Sequence, residues 1–265
     1  SLNVQWFKLG NFYLIIQTEI PLASGLGSSA SFSTCLACFF LIIANKISIN
    51  DLKNSLNDRD LDLINIYAFY IEKLFHGKPS GIDNSVSTYG NYVLFEKGNI
   101  VEKFSSDLEL NVLIVNSGVP KQTSLQVEKV KKLYEKHKEI LDMIMSSIDQ
   151  VVIKFSHLIK NARTDTNIPN TDKYELNNLI SINQGLLYSL QISNFELNKI
   201  VNIAQKNNYH AKITGAGGGG CCFILLDNHI YQKNNSDSIY ECLVEELKEK
   251  NFHFFKTKFG CEGIT

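Results

Sequence analysis

No apolar run in this sequence approaches the roughly 20 residues that a membrane-spanning helix needs; the longest, Cys35 to Ala44, falls far short. No basic segment stands ahead of an apolar core at the start, which points away from secretion. Charge of one sign is missing too. Lys and Arg number 26 against 27 Asp and Glu, so nothing asks for a nucleic-acid partner. Six cysteines (Cys35, Cys38, Cys221, Cys222, Cys242 and Cys261) include no pair of Cys-x-x-Cys units with histidines, which removes a metal framework. Cys35 and Cys38 have that spacing once, on the apolar face of an expected helix, where core packing is their expected role. A hydrophobic fraction of 44% over 265 residues describes a globular chain that can bury a sizeable core, as one large domain or two small ones.

What is present is glycine in unusual places. The stretch "PLASGLGSSAS" (Pro21 to Ser31) lies between an apolar run of strand length, Phe12 to Ile16, and a helical repeat at Phe32, Cys35, Leu36, Phe39, Phe40 and Ile43. A glycine loop opening a helix offers free backbone N–H groups and partial positive charge to a phosphate. Ser28 and Ser29 would add hydroxyls able to meet phosphate oxygens or magnesium. No Gly-Lys-Ser/Thr ending follows, so this is not a Walker A loop. The same residues equally suit a glycine turn with a serine helix cap.

A second helix is expected from Asp60 to Phe75, with apolar residues at Leu61, Ile64, Ala68, Ile71 and Phe75. "HGKPSGIDNSVSTYGN" (His76 to Asn91) reads as a long loop, and long loops in compact domains are often functional. Within it Asp83 is the candidate to receive a proton from an alcohol attacking a phosphate, with Glu72 near enough in sequence to bind magnesium beside Ser29. The plainer readings are an Asx-turn for Asp83 and a solvated helix face for Glu72. "YVLFEKGNIVEKF" reads as a hairpin turning near Gly98.

From Asn111 a strand, helical stretches at Thr123 to Leu158 (broken at least once), Tyr174 to Leu190 and Phe195 to Lys206, two strands, a helix and a last strand follow. With the helices counted as one crossover, that order is the β-α-β-β-α-β of a ferredoxin-like lobe. The polar stretch from Asn161 to Asp172, with Pro169, reads as an exposed insertion. "KITGAGGGGCCFILL" (Lys212 to Leu226) puts five glycines into six positions between two of these strands. A tight turn needs one or two, so the run is expected to bring backbone N–H groups close to phosphates, with Thr214 adding a hydroxyl.

In their order and spacing, "PLASGLGSSAS", "HGKPSGIDNSVSTYG" and "KITGAGGGGCCFILL" resemble three motifs of the GHMP kinase family, and within it the eukaryotic mevalonate kinases. "DLDLINIYAFYIEKLFHG" and "VNSGVPKQTS" extend the resemblance over nearly the whole chain. It implies an α+β, two-lobed fold. An incomplete N-terminal lobe of the ribosomal S5 domain 2 type would occupy residues 1–106 and a ferredoxin-like C-terminal lobe residues 107–265.

The resemblance implies ATP and Mg2+ as cofactors and mevalonate as the small-molecule substrate of an ATP-dependent kinase of isoprenoid and sterol precursor synthesis. Gly25, Leu26, Gly27, Ser28, Ser29 and Ala30 would line the ATP phosphates, with Ser29 and Glu72 ligating the metal. Asp83 would be the base, and Thr123 in "VPKQT" would shape the phosphate end of the cleft. Thr214, Gly215, Ala216, Gly217 and Gly218 would close over the substrate, while His76 would make a structural hydrogen bond. Departures are Leu22 and Ala23 for proline and glycine, and Cys222 for glycine. The family's first motif, with its lysine, histidine and glutamate, has no counterpart here. The expectation is therefore a trimmed chain, a truncated gene product or strands supplied by another chain, with exposed edges that favour a homodimer. A cytoplasmic or peroxisomal location is expected. The alternatives are another GHMP kinase (galactokinase, homoserine kinase, phosphomevalonate kinase) or a non-catalytic homologue that binds nucleotide or a partner chain.

Overall fold

The structure is a computed structural model and describes residues 3–9, 12–20, 25–48, 56–96, 98–106, 110–162, 170–226 and 236–264. Leu22, Ala23 and most of the polar stretch around Pro169 lie outside those residues. Among the described residues no helix is long and apolar enough to cross a membrane.

Phe12–Thr18 (β2) forms as expected and pairs antiparallel with Asn3–Leu9 (β1), an unforeseen partner, from Asn3 opposite Thr18 to Leu9 opposite Phe12. Ser28–Ile43 (α1) follows. Its buried face is not the bulky one expected from the sequence. Ala30, Ser33, Thr34, Ala37, Cys38 and Leu41 face inward, while Phe40, Ile43 and Cys35 are exposed. The reason is close packing: small residues let α1 approach Asp58–His76 (α2), and Ala37, Cys38 and Leu41 meet Ile64 and Ala68 there.

Helix α2 starts at Asn57, whose side chain accepts from the Asp60 N–H at 3.0 Å and donates to the Asp60 carboxylate at 2.8 Å. Its buried residues are Asp60, Ile64, Ala68 and Glu72, one line at i, i+4 spacing that runs from the cap to the candidate site. The next segment corrects the sequence reading. Ile82–Tyr89 is a helix (α3), not part of a loop. A tertiary bond ties it to α2, Asn84 donating to Asn65 Oδ1 at 2.6 Å, while within the helix Ser85 donates to the Gly81 carbonyl at 2.6 Å. So few apolar residues carry no helical period that could have announced it.

Tyr92–Glu96 (β3) and Asn99–Phe104 (β4) make the expected hairpin. Leu110–Asn116 (β5) then enters a four-stranded antiparallel sheet with His210–Ile213 (β6), Cys221–Leu225 (β7) and His253–Phe259 (β8), ordered β6-β7-β5-β8. The helices are Thr123–Lys136 (α4), Lys138–Asn161 (α5), Asn170–Ser189 (α6), Phe195–Lys206 (α7) and Ser236–Glu249 (α8). The expected break falls at His137, whose φ of -136° leaves the helical region. Strand β5 is apolar from Val112 to Val115 because both its faces are covered. Leu110, Val112 and Ile114 pack with Ile159, Leu176 and Ile180, whereas Leu113 and Val115 pack with Leu197, Ile200, Leu243 and Leu247.

After β8 the chain crosses back to the first lobe. Asn91 N–H donates to the Cys261 carbonyl at 2.6 Å, Ile264 N–H to the Thr88 carbonyl at 3.2 Å, and Ile264 packs against the α1–α2 core. This clasp fixes the end of α3 relative to the sheet.

Candidate active site

The start of α1 is built as an open anion cradle. Gly25 and Gly27 hold φ of 78° and 73°, a left-handed turn that glycine adopts at little cost. Gly27 is the N-cap, and no side chain caps the helix. Among the described residues nothing lies within 4 Å of where a Gly27 Cβ would stand, and the first-turn N–H groups of Ser28, Ser29 and Ala30 are the donors that such a helix end supplies. Leu26 faces away, packed against the C-terminal core, and anchors the loop. Ala30 is buried.

Ser29 and Glu72 meet here. The Ser29 hydroxyl donates to Glu72 Oε1 at 2.5 Å and the Ser33 hydroxyl to the same oxygen at 2.9 Å. His76 Nε2 lies 3.0 Å from Ser29 Oγ and 3.9 Å from Glu72 Oε2. Glu72 is 5% exposed, which disposes of the solvated helix face. Ser33 escaped the sequence reading, although its i+4 spacing from Ser29 puts both hydroxyls on one side of α1. A carboxylate with hydroxyl neighbours is hard-oxygen chemistry, suited to magnesium held by one or two carboxylates plus phosphate oxygens. Among the described residues no group of three or more His, Cys, Asp and Glu offers an all-protein metal cage.

Asp83 stands in the first turn of α3. Protein crowding around its carboxyl raises its pKa above the usual range; the Lys121 ammonium opposes this, the Glu72 charge adds to it and His76 opposes it. The residue remains open to solvent at the cleft, so the crowding is that of a concave site. Lys121 was not singled out from the sequence. It stands two positions before Thr123, the first residue of α4, which is exposed. Its position in "VPKQT" is the only hint the sequence holds.

The glycine run corrects one expectation. Its N–H groups are not all free for phosphate: Gly218 donates to the Ile192 carbonyl at 2.6 Å and Gly220 to the Val119 carbonyl at 2.8 Å. A Cβ on Gly217 would stand 2.3 Å from the Ile192 oxygen, and one on Gly219 2.5 Å from the Val119 oxygen. Close packing of protein on protein thus accounts for these glycines. The Thr214 hydroxyl donates to the Cys221 carbonyl at 2.9 Å and ties the ends of the run together. Gly215, with φ of 63°, lies instead against the tip of Lys121; Ala216 follows it, partly exposed.

A separate cavity of about 700 Å³ lies between the lobes, lined by Leu26, Tyr92, Phe155, Lys212 and Phe259 among others. Ser29, Glu72, Asp83, Lys121 and Thr123 do not line it, so it is not where the candidate chemistry gathers. Burial pulls Lys212 down to about 8, and its ammonium donates to the Ile213 carbonyl at 3.1 Å. Between about pH 8 and the ordinary lysine value of 10.5 the folded chain holds fewer protons than the unfolded one. Stability should therefore rise with pH across that window. Lys212→Met should be more stable at neutral pH and lose that slope, read by urea unfolding from pH 7 to 10.

Two family models match the chain, "GHMP kinases N terminal domain" over residues 2–91 and "GHMP kinases C terminal" over residues 166–248. The mevalonate kinase of Arabidopsis thaliana is 34% identical over 254 residues, covering 94% of this chain and 64% of its own. That of Homo sapiens is 31% identical over 257 residues, covering 95% and 63%. The chain thus spans slightly less than two thirds of these curated relatives. Among solved structures, the Methanococcus jannaschii mevalonate kinase superposes with a TM-score of 0.71 at 26% identity, over 94% of this chain and 68% of that one. The L. major mevalonate kinase, solved in complex with R-mevalonate, gives 0.73 at 22% identity over 95% and 70%, a likeness of fold.

Proposed function

The chain belongs to the GHMP kinase family, and from that membership we propose that it transfers the terminal phosphoryl group of ATP to the primary hydroxyl of mevalonate. The observation that carries the reading is the 2.5 Å hydrogen bond between Ser29 and Glu72, 43 residues apart, at the uncapped start of α1. A folded chain has little reason to bury a carboxylate on serine hydroxyls there unless a cation joins them. The named mevalonate kinases among its relatives support the acceptor.

In this reading the N–H groups from Gly25 to Ala30 hold the phosphates, and Thr123 and Gly215 bound the far side of the cleft between lobes 1–106 and 107–265. Magnesium, when bound, would neutralise phosphate oxygens, with Ser29 and Glu72 as its protein ligands. Asp83 takes the hydroxyl proton as the acceptor oxygen bonds to phosphorus and the bond to ADP breaks. His76 orients the Ser29 hydroxyl.

The test is ADP release from ATP and magnesium with mevalonate, galactose, homoserine or phosphomevalonate as the acceptor. Release with mevalonate alone is expected. Turnover of one of the others would replace the acceptor, and ATP binding without transfer to any of them would make the chain a nucleotide-binding homologue.

A further inference from the structure

The Lys121 ammonium sits in a slot made of two missing side chains. A Cβ on Gly215 would stand 2.5 Å from Nζ, and one on Gly25 would stand 2.9 Å from Nζ and 2.7 Å from Cδ. Gly25 leads into α1 and Gly215 opens the glycine run, so one lysine from the turn before α4 reaches the phosphate loop and the glycine loop together. Both glycines have positive φ, and any side chain at either would compete with the ammonium for the same space. The ammonium also acts on the Asp83 carboxyl through space. Charge and slot therefore coincide in the cleft, with the Asp83 carboxyl within electrostatic reach.

We propose that Lys121 is a catalytic cation of the transfer site, its ammonium holding the terminal phosphate of a nucleoside triphosphate between Gly25 and Gly215. The inference rests on the kinase reading above and deepens it. Phosphoryl transfer spreads negative charge over the oxygens of the migrating group, and catalysis consists mostly of positioning and neutralising them. A lysine supplies a compact point charge for that purpose. Because it comes from the C-terminal lobe, it reaches the phosphate loop only while the two lobes are in register. As the phosphoryl group passes to the acceptor oxygen, the ammonium stays on its oxygens, the acceptor proton goes to Asp83, and ADP leaves without the contact.

The experiment compares the full chain with Lys121→Met and Lys121→Arg, measuring calorimetric affinity for MgATP and MgADP and, separately, kcat and KM with mevalonate. Lys121→Met should weaken MgATP about tenfold while MgADP holds, and lower kcat about a hundredfold. Lys121→Arg should restore most of both. An unchanged ATP-to-ADP ratio in Lys121→Met overturns the proposal, as does a higher KM for mevalonate alone, which would put the ammonium on the acceptor's carboxylate. A wild-type chain that binds no MgATP overturns it too. The binding ratio needs no turnover. A chain that phosphorylates no alcohol, yet loses its preference for ATP in Lys121→Met, would sink the kinase reading and leave the cation standing.

Discussion

Replacing Asp83 by Asn should lower kcat by about a hundred- to ten-thousandfold while MgATP affinity stays within about threefold. The amide keeps the size of the carboxyl and its place in the first turn of α3, but it cannot receive the acceptor's proton. Phosphate binding belongs to a different element, the start of α1, so it should survive. The protein crowded around the carboxyl raises its pKa, against the pull of Lys121, the direction that suits a base. Coupled ADP release and calorimetry with MgATP separate the two effects. Transfer within tenfold of wild type would mean that another group takes the proton.

Gly90→Ala should be the most damaging single methyl addition in the described residues outside the site. Gly90 closes α3 with φ 68° and ψ -163°, a region open almost solely to glycine, and strain there costs about 1–3 kcal/mol. Sterics add to the strain: the new Cβ would lie 2.0 Å from the backbone nitrogen of Gly263. Backbone cannot yield as a side chain tip can, so the clasp between Thr88–Asn91 and 261–264 must open. Gly98→Ala is the control, since φ is 86° there and nothing among the described residues stands within 4 Å; it should cost only the left-handed strain of about 1–2 kcal/mol. Urea unfolding with hydrogen exchange at the Asn91 and Ile264 amides distinguishes them. Equal losses in the two variants would show that the clasp contributes little.

Much of this was legible in the residues. Periodicity placed β5, α7, β8 and the β3–β4 hairpin, since each has a dense apolar pattern or a glycine turn that acts locally. The motif order marked Ser29, Glu72 and Asp83 as one candidate constellation, because loop hydroxyls and carboxylates have few structural uses in that company. Helix α3 was missed for the opposite reason, as few of its residues are apolar and Asn84 is held by Asn65 on another helix. The buried face of α1 was misjudged because helix-to-helix packing selected small side chains over large ones. In the glycine run, sequence alone could not tell protein contacts from ligand contacts.

The sequence by itself determined the family, the strand and helix order apart from β1 and α3, and the short list of reactive groups, because those depend on local patterns and on rare combinations of residue types. Only the tertiary structure decided that Glu72 is buried on Ser29 and Ser33, that Gly217 to Gly220 pack against protein, and that Lys121 reaches both glycine loops. Each of these is a distance between residues far apart in the chain, set by how two lobes and a returning clasp fit together, and no local pattern carries that distance.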